Sequence, residues 1–164
     1  MALSTVVKNN CDGTITLSDG AGSPATLAVG FDMGDLSIDG LKATQRETAT
    51  YESRGVLKSV RHTSRTYPSG SFSFMLKDVS DASDQTLIDF CLFQGSYSSG
   101  VSTLGASAEC KTIKVLLTIE GTDHGDGNDH TISLDDCEVT MAIAEGDPST
   151  VSISFVCYGA VAMT

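Results

Sequence analysis

One stretch of strict alternation constrains the fold more than any other feature of the chain. Between residues 111 and 120, every second position is a large aliphatic residue, namely Ile113, Val115, Leu117 and Ile119. A period of two places these side chains on one face of a β-strand, whereas an amphipathic helix needs a period of about 3.6. Burying all four contributes roughly 6–12 kcal/mol before chain entropy is subtracted. The strand therefore requires a partner layer.

Two later segments, residues 132–143 and 151–157, repeat this alternation. The three segments predict three neighbouring strands of an antiparallel sheet. The inward positions skip one residue between Leu134 and Cys137, which predicts a β-bulge or bend at Asp135 and Asp136.

The rest of the chain completes a mostly β fold class, an antiparallel β-sandwich or barrel with one flanking α-helix. Further strands are predicted at residues 14–18, 25–31, 35–40 and 69–77. A cap residue, an apolar stripe at i, i+4 spacing and a stop at Gly95 predict the helix at about residues 83–94. The length of 164 residues and the 40% hydrophobic content suit a single domain spanning residues 1–164.

The predicted helix has a wider apolar surface than one sheet contact requires, because Phe90 and Phe93 flank its apolar stripe. Either the helix is deeply buried or this flank meets a neighbouring subunit. Phe90 and Phe93 are therefore candidates for a subunit contact.

Residues 42–67 differ in character from the rest of the chain. They contain six Lys or Arg residues against two Glu residues, and few large aliphatic residues. Alternation beside the turn-forming residues 53–55 predicts a protruding hairpin or long arm. This segment is either a solvated loop or an arm that docks on an acidic surface of another copy. The basic residues of the arm are Lys42, Arg46, Arg54, Lys58, Arg61 and Arg65.

The net charge of −11 is unevenly distributed. Residues 1–77 carry 8 Lys or Arg and 7 Asp or Glu, whereas residues 78–164 carry 2 and 14. Such an acidic surface repels phosphate, which argues against tight nucleic-acid binding by the chain alone. The start of the chain lacks a signal-peptide pattern, and no apolar run is long enough to span a membrane. We therefore expect a soluble, intracellular protein with no membrane partner.

The sequence offers no catalytic constellation, so we expect no enzyme, catalytic residue or cofactor. Five cysteines without CxxC spacing disfavour both disulfides and a zinc site. Residues 121–130 contain oxygen ligands, but their spacing is not that of an EF-hand. We expect a plain hairpin turn there and no metal site, with adventitious binding of a divalent cation as the alternative.

The order of elements resembles the tail tube, or major tail, proteins of long-tailed bacteriophages, whose fold is related to the tube protein of type VI secretion. The segments that carry the resemblance are residues 87–90, 135–137, 144–148 and 157–159. The resemblance implies a virion structural protein whose hexameric rings stack into a hollow tube for phage DNA. Its implied partners are further copies of itself, the tape measure, the terminator or a sheath, with DNA only transiently in the lumen. Its implied location is the virion tail, and the host cytoplasm during assembly.

The resemblance also implies two sets of site residues. The arm would reach an adjacent ring, and a lumen lined with carboxylates and small polar groups would let DNA slide. The candidate lumen residues are Thr118, Glu120, Glu138, Thr140, Ser152 and Ser154, with a solvent-facing outer sheet as the alternative. Competing functions are a single-ring tail-completion protein, a type VI secretion tube-like protein, or a calcium-dependent sugar-binding β-sandwich. The last requires aromatic platforms, and this chain has no Trp and only four Tyr.

Overall fold

The computed structural model describes residues 13–30, 36–76, 87–119, 121 and 127–164. The architecture is mostly β, with antiparallel sheets and one short helix, which confirms the predicted fold class. The strands are β1 (Thr14–Ser18), β2 (Thr26–Gly30), β3 (Ser37–Asp39), β4 (Arg46–Ser53), β5 (Val56–Arg65), β6 (Ser69–Met75), β7 (Ile113–Ile119), β8 (His130–Ala144), β9 (Thr150–Cys157) and β10 (Val161–Met163). The helix is α1 (Leu87–Leu92), and a short 3-10 helix follows at Gly95–Tyr97.

Eight of the strands form one antiparallel sheet, in the order β2-β1-β7-β8-β9-β6-β3, and β10 pairs with β8 beside this path. The predicted neighbours β7, β8 and β9 pair directly, which confirms the arrangement expected from their alternation. Strands β4 and β5 pair only with each other and form a separate two-stranded sheet. The main sheet and this small sheet are therefore distinct structural units within the described residues.

Strand β8 is 15 residues long and changes partners along its length. Its first half pairs with β7 and β10, and its second half pairs with β9. The change occurs at a register shift where Asp136 adopts a positive φ of 54°. Leu134 and Cys137 are both fully buried on either side of this point. The bulge predicted from the skipped inward position is confirmed.

The alternating positions supply the core of the main sheet. Ile113, Val115 and Leu117 are at most 4% exposed, while Ile119 is only partly buried against the same cluster. Neighbouring strands contribute the buried side chains Ile15, Leu17, Phe72, Phe74, Val151, Ile153 and Phe155. The alternation therefore marks a shared buried face and leaves mostly polar residues on the opposite face of the sheet.

The helix is described over six residues, and residues 83–86 of the predicted helix lie outside the described part. It ends where Phe93 adopts a positive φ of 52°, two residues before the predicted stop at Gly95. The Gln94 amide donates to the Asp89 carbonyl at 2.9 Å, and the Phe93 amide donates to the Phe90 carbonyl at 3.2 Å. These two bonds form a Schellman-type cap, which satisfies carbonyls at the end of the helix.

Candidate assembly surfaces

The arm is a two-stranded hairpin with a tight turn. Ser53 lies opposite Val56, and the two residues between them, Arg54 and Gly55, have φ values of 51° and 74°. Two consecutive left-handed residues define a type I′ turn, whose twist suits a two-residue hairpin connection. The hairpin predicted for residues 42–67 is confirmed, and Gly55 supplies a conformation that side chains rarely adopt.

The hairpin exposes large apolar side chains. Tyr51, Val56, Leu57 and Val60 are 52%, 57%, 54% and 56% exposed, respectively. Single exposed apolar residues are common on protein surfaces, whereas four on one small element are unusual. The apolar character of the arm was underestimated from the sequence, because short alternating segments do not show which faces find a partner within the chain.

A cluster of side chains, here named the root cluster, ties the base of the arm to the main sheet. It consists of Arg65, Tyr67, Tyr158 and Glu138. The Arg65 guanidinium donates to the Tyr158 carbonyl at 3.2 Å and lies 5.3 Å from the centroid of the Tyr67 ring. The rings of Tyr67 and Tyr158 meet edge to face at 5.0 Å. The Tyr158 hydroxyl donates to Glu138 at 2.9 Å, and this bond raises the pKa of Tyr158.

The six basic residues of the arm are exposed. Arg65 belongs to the root cluster, and Arg46 donates to the Thr63 carbonyl at 3.5 Å within the hairpin. Across the described ranges, none of the six forms an ion pair with a carboxylate of its own chain. The charged groups of Lys42, Arg54, Lys58 and Arg61 therefore lie in solvent without a carboxylate partner among the described residues.

The exposed side of β8, β9, β6 and β3 forms a polar surface, here named the hydroxyl face. Its polar residues are Ser37, Asp39, Ser69, Ser71, Ser73, Glu138, Thr140, Ser152 and Ser154. Thr140, Ser154, Ser71 and Ser37 lie directly opposite one another across the four strands. The hydroxyls of Ser37 and Ser71, and those of Ser73 and Ser152, lie 3.2 Å apart. The charged residues among these nine are two carboxylates.

Four candidate lumen residues, Glu138, Thr140, Ser152 and Ser154, lie together on the hydroxyl face. Thr118 lies farther along the sheet on β7, opposite Thr14 and Thr131, and is partly buried. Glu120 lies outside the described residues.

Sequence reasoning missed the contribution of β6 to this face. The alternation of Ser69, Ser71 and Ser73 with Phe72 and Phe74 was the available signal. What the sequence did not reveal is that β6 lies beside β9, because the two strands are about 80 residues apart along the chain.

The two aromatic residues proposed for a subunit contact lie in different environments. Phe90 is 2% exposed and packs edge-on against Tyr97, with ring centroids 4.7 Å apart. It is a core residue, as the buried-helix alternative describes. Phe93 is partly buried, and the Lys111 ammonium lies 5.2 Å from its ring centroid. Of the two, only Phe93 retains surface for a neighbouring molecule.

In the part of the chain that the structure describes, no group of three or more His, Cys, Asp or Glu residues could hold a metal ion. Residues 122–126 of the loop considered for calcium lie outside that part. At the edge of the loop, the Gly121 amide donates to the Asp129 carboxylate at 3.1 Å. None of the described helices has the length and apolar character needed to cross a membrane.

The fold is shared with chains from an anti-feeding prophage and from an extracellular contractile injection system. A chain of the anti-feeding prophage cap, a tube-terminating cap, is 10% identical with a TM-score of 0.60, over 100% of this chain and 94% of that chain. A chain of the sheath/tube terminator of an extracellular contractile injection system is 12% identical with a TM-score of 0.53, over 92% of both chains. At these identities the similarity establishes the fold alone.

A third similar chain belongs to the sheath-tube complex of an extracellular contractile injection system in its extended state. It is 11% identical with a TM-score of 0.52, over 92% of this chain and 87% of that chain. No protein-family model and no curated protein matches this chain in sequence.

Proposed function

We propose that this protein is a non-enzymatic, ring-forming subunit of a phage-tail-like particle, and that its ring ends a tube. The observation that carries the proposal is the arm, a separate hairpin with four large apolar residues more than half exposed. Apolar surface of this kind is stabilised when another molecule covers it. The shared fold supports the choice of partner, because similar chains occur in assemblies built from tube subunits.

The tube-end role is favoured over the role of the repeated tube subunit by the similarity itself. The chain from a tube-terminating cap has a TM-score of 0.60, against 0.52 for the chain from a sheath-tube complex. The second candidate is a subunit of the tube, whose rings stack on one another through the arm. Its support is the sheath-tube similarity and the length of the hairpin, which has strands of 8 and 10 residues.

In either role, we propose that the hydroxyl face lines the bore of the ring. Its hydroxyls and two carboxylates present no described Lys or Arg to a passing polyanion, so phosphates are repelled and do not adhere. The particle therefore gains a channel wall to which DNA binds weakly. A Thr140→Arg substitution, which adds a cation to this face, should increase the affinity of assembled rings for DNA and make that affinity salt-dependent.

Negative-stain electron microscopy of the purified protein separates the two candidate roles. A tube-end protein gives closed rings that remain single, whereas a tube subunit gives rods. Reversing two arm charges, Arg54→Glu with Lys58→Glu, should raise the concentration needed for assembly by about tenfold or more, because the arm then repels an acidic partner. The matched control is Arg54→Lys with Lys58→Arg, which changes the same two side chains and keeps both positive charges. Unchanged assembly of the charge-reversed variant would contradict the role of the arm cations.

A further inference from the structure

We propose that the arm of one subunit is held between two other copies of this chain, each covering one face of the hairpin. This inference rests on the proposed ring function, which it deepens by assigning the two faces of the arm to two contacts. It follows from the strand register of the hairpin, from the exposure of its apolar residues and from the distribution of charge along the chain.

The register assigns the apolar residues of the hairpin to opposite faces. Tyr51 lies opposite Ser59 and Ser53 lies opposite Val56, so Tyr51 and Val56 share the first face. On the second face, Thr50 lies opposite Val60, and Glu52 lies opposite Leu57. Each face therefore carries two large apolar side chains that are more than half exposed.

A β-bulge produces this distribution. The register shifts between Tyr51 and Glu52, where β5 contains the extra residue Lys58. In a regular strand that paired every residue, Leu57 and Val60 would lie on opposite faces, because their separation of three positions is odd. The bulge brings them together on the second face and leaves the first face to Tyr51 and Val56.

Covering one face of such a ribbon leaves the other in water. A two-stranded hairpin has no second layer of its own, and a flat contact with a single surface would bury one apolar pair only. Both pairs are removed from water when the hairpin lies in a cleft between two surfaces. The exposure of both pairs in the single chain therefore fits an arm that is inserted between neighbours.

The charge distribution identifies the occupants of both contacts as further copies of this chain. Residues 42–67 contain six Lys or Arg and two Glu, whereas the rest of the chain contains four Lys or Arg and nineteen Asp or Glu. A basic arm and an acidic body on the same polypeptide are complementary between copies. The cations at the turn and the bulge, Arg54 and Lys58, lie where they can meet carboxylates on either side of the cleft.

The experiment compares one variant of each face in the full-length protein. The first-face variant is Tyr51→Ser with Val56→Thr, and the second-face variant is Leu57→Thr with Val60→Thr. The control is Leu104→Thr, which truncates an apolar residue that is 51% exposed and lies outside the hairpin. Ring formation is measured by sedimentation velocity. The folding of each variant is checked by thermal unfolding. We expect each face variant to raise the concentration required for ring formation by about tenfold or more, and the control to leave it unchanged.

Hydroxyl-radical footprinting with mass spectrometry provides a second measurement that needs no substitution. We expect Tyr51 and Leu57, one from each face, both to become protected when the wild-type protein assembles. The inference is overturned if the wild type forms rings but only one of these two residues becomes protected. It is also overturned if only one of the two face variants loses assembly. If the wild type forms no ring, the proposed function fails first. Binding of the arm to anionic vesicles or DNA by a protein that stays monomeric would also overturn the assignment of the partner.

Discussion

The phenol oxygen of Tyr158 donates a 2.9 Å hydrogen bond to Glu138, which links the end of β9 to the second half of β8. Tyr158 also contacts Tyr67 and Arg65 at the base of the arm, and Glu138 belongs to the hydroxyl face. One carboxylate is therefore shared by the surface proposed to line the bore and by the cluster that positions the arm. The two candidate assembly surfaces meet at this residue pair.

Replacing Glu138 with Gln should lower the pKa of Tyr158. The hydrogen bond to the carboxylate is the main cause of the raised pKa, and a neighbouring negative charge further disfavours ionisation of the phenol. A neutral amide removes that charge, so the pKa of Tyr158 should fall toward the usual value of about 10. An NMR titration of ring-labelled tyrosine measures it, with Tyr158→Phe assigning the resonance. An unchanged pKa in Glu138→Gln would show that the pair does not form in solution.

Replacing Gly159 with Ala should destabilise the close contact between Gly159 and the bulge of β8. A Cβ atom at Gly159 would lie 2.6 Å from both the Asp135 carbonyl oxygen and an Asp136 carboxylate oxygen. The Gly159 amide also donates to the Asp135 carbonyl at 3.0 Å, so the backbone cannot shift without straining this bond. We expect a loss of about 2–3 kcal/mol in the free energy of unfolding, measured with denaturant.

The control for this substitution is Gly22→Ala, because a Cβ atom there meets no atom within 4 Å. We expect its free energy of unfolding to stay within about 0.5 kcal/mol of the wild type. Equal effects of the two substitutions would contradict the close approach of the chain at the bulge.

Replacing Gly55 with Val should disrupt the arm and leave the main sheet intact. Gly55 has a φ of 74° at the second position of the turn, and a β-branched residue is strongly disfavoured there. The cost of about 1–2 kcal/mol falls on the separate two-stranded sheet, so ring formation should decline while the thermal unfolding of the main sheet is retained.

Asn tolerates the left-handed region, so Arg54→Asn tests the same turn without disrupting its backbone. Circular dichroism melting and sedimentation velocity measure the two effects separately. Wild-type ring formation by Gly55→Val would show that the turn geometry is not needed for assembly.

Burial raises the pKa of the Cys91 thiol from 9.0 to about 12. The folded state therefore keeps this proton at pH values where the unfolded state has lost it. The resulting stabilisation is fully present below about pH 8 and is lost as the pH rises through 9 toward 12. Between pH 8 and pH 10, the wild type should lose about 1 kcal/mol more stability than Cys91→Ala, measured by denaturant unfolding. Parallel losses in the two proteins would show that the thiol is accessible to water.

The strands of the main sheet were predictable because their buried side chains recur at every second position. Strand β7 is predicted by Ile113, Val115 and Leu117, and the bulge of β8 is predicted by the skipped inward position between Leu134 and Cys137. Strand β10 was missed, because three residues are too few for a periodic pattern. The sequence predicts a helix stop at Gly95, but the helix ends at Leu92. The left-handed conformation of Phe93 comes from a backbone cap, and its residue type gives no sign of it.

The candidate surfaces were predictable only where they follow one strand. The arm cations and the outward residues of β8 and β9 could be predicted from the sequence, because each set lies within one short segment of the chain. The full hydroxyl face also depends on β6 lying between β9 and β3. The root cluster depends on Arg65 meeting Tyr158, 93 residues away. Contacts of this kind depend on strand order, which alternation does not specify.

Sedimentation velocity of the wild-type protein over a range of concentrations tests the central claim most directly. The account predicts a closed oligomer of one defined size, which dissociates into monomers as the salt concentration rises, because a basic arm then loses its attraction to acidic neighbours. A protein that stays strictly monomeric at high concentration and low salt would contradict the account.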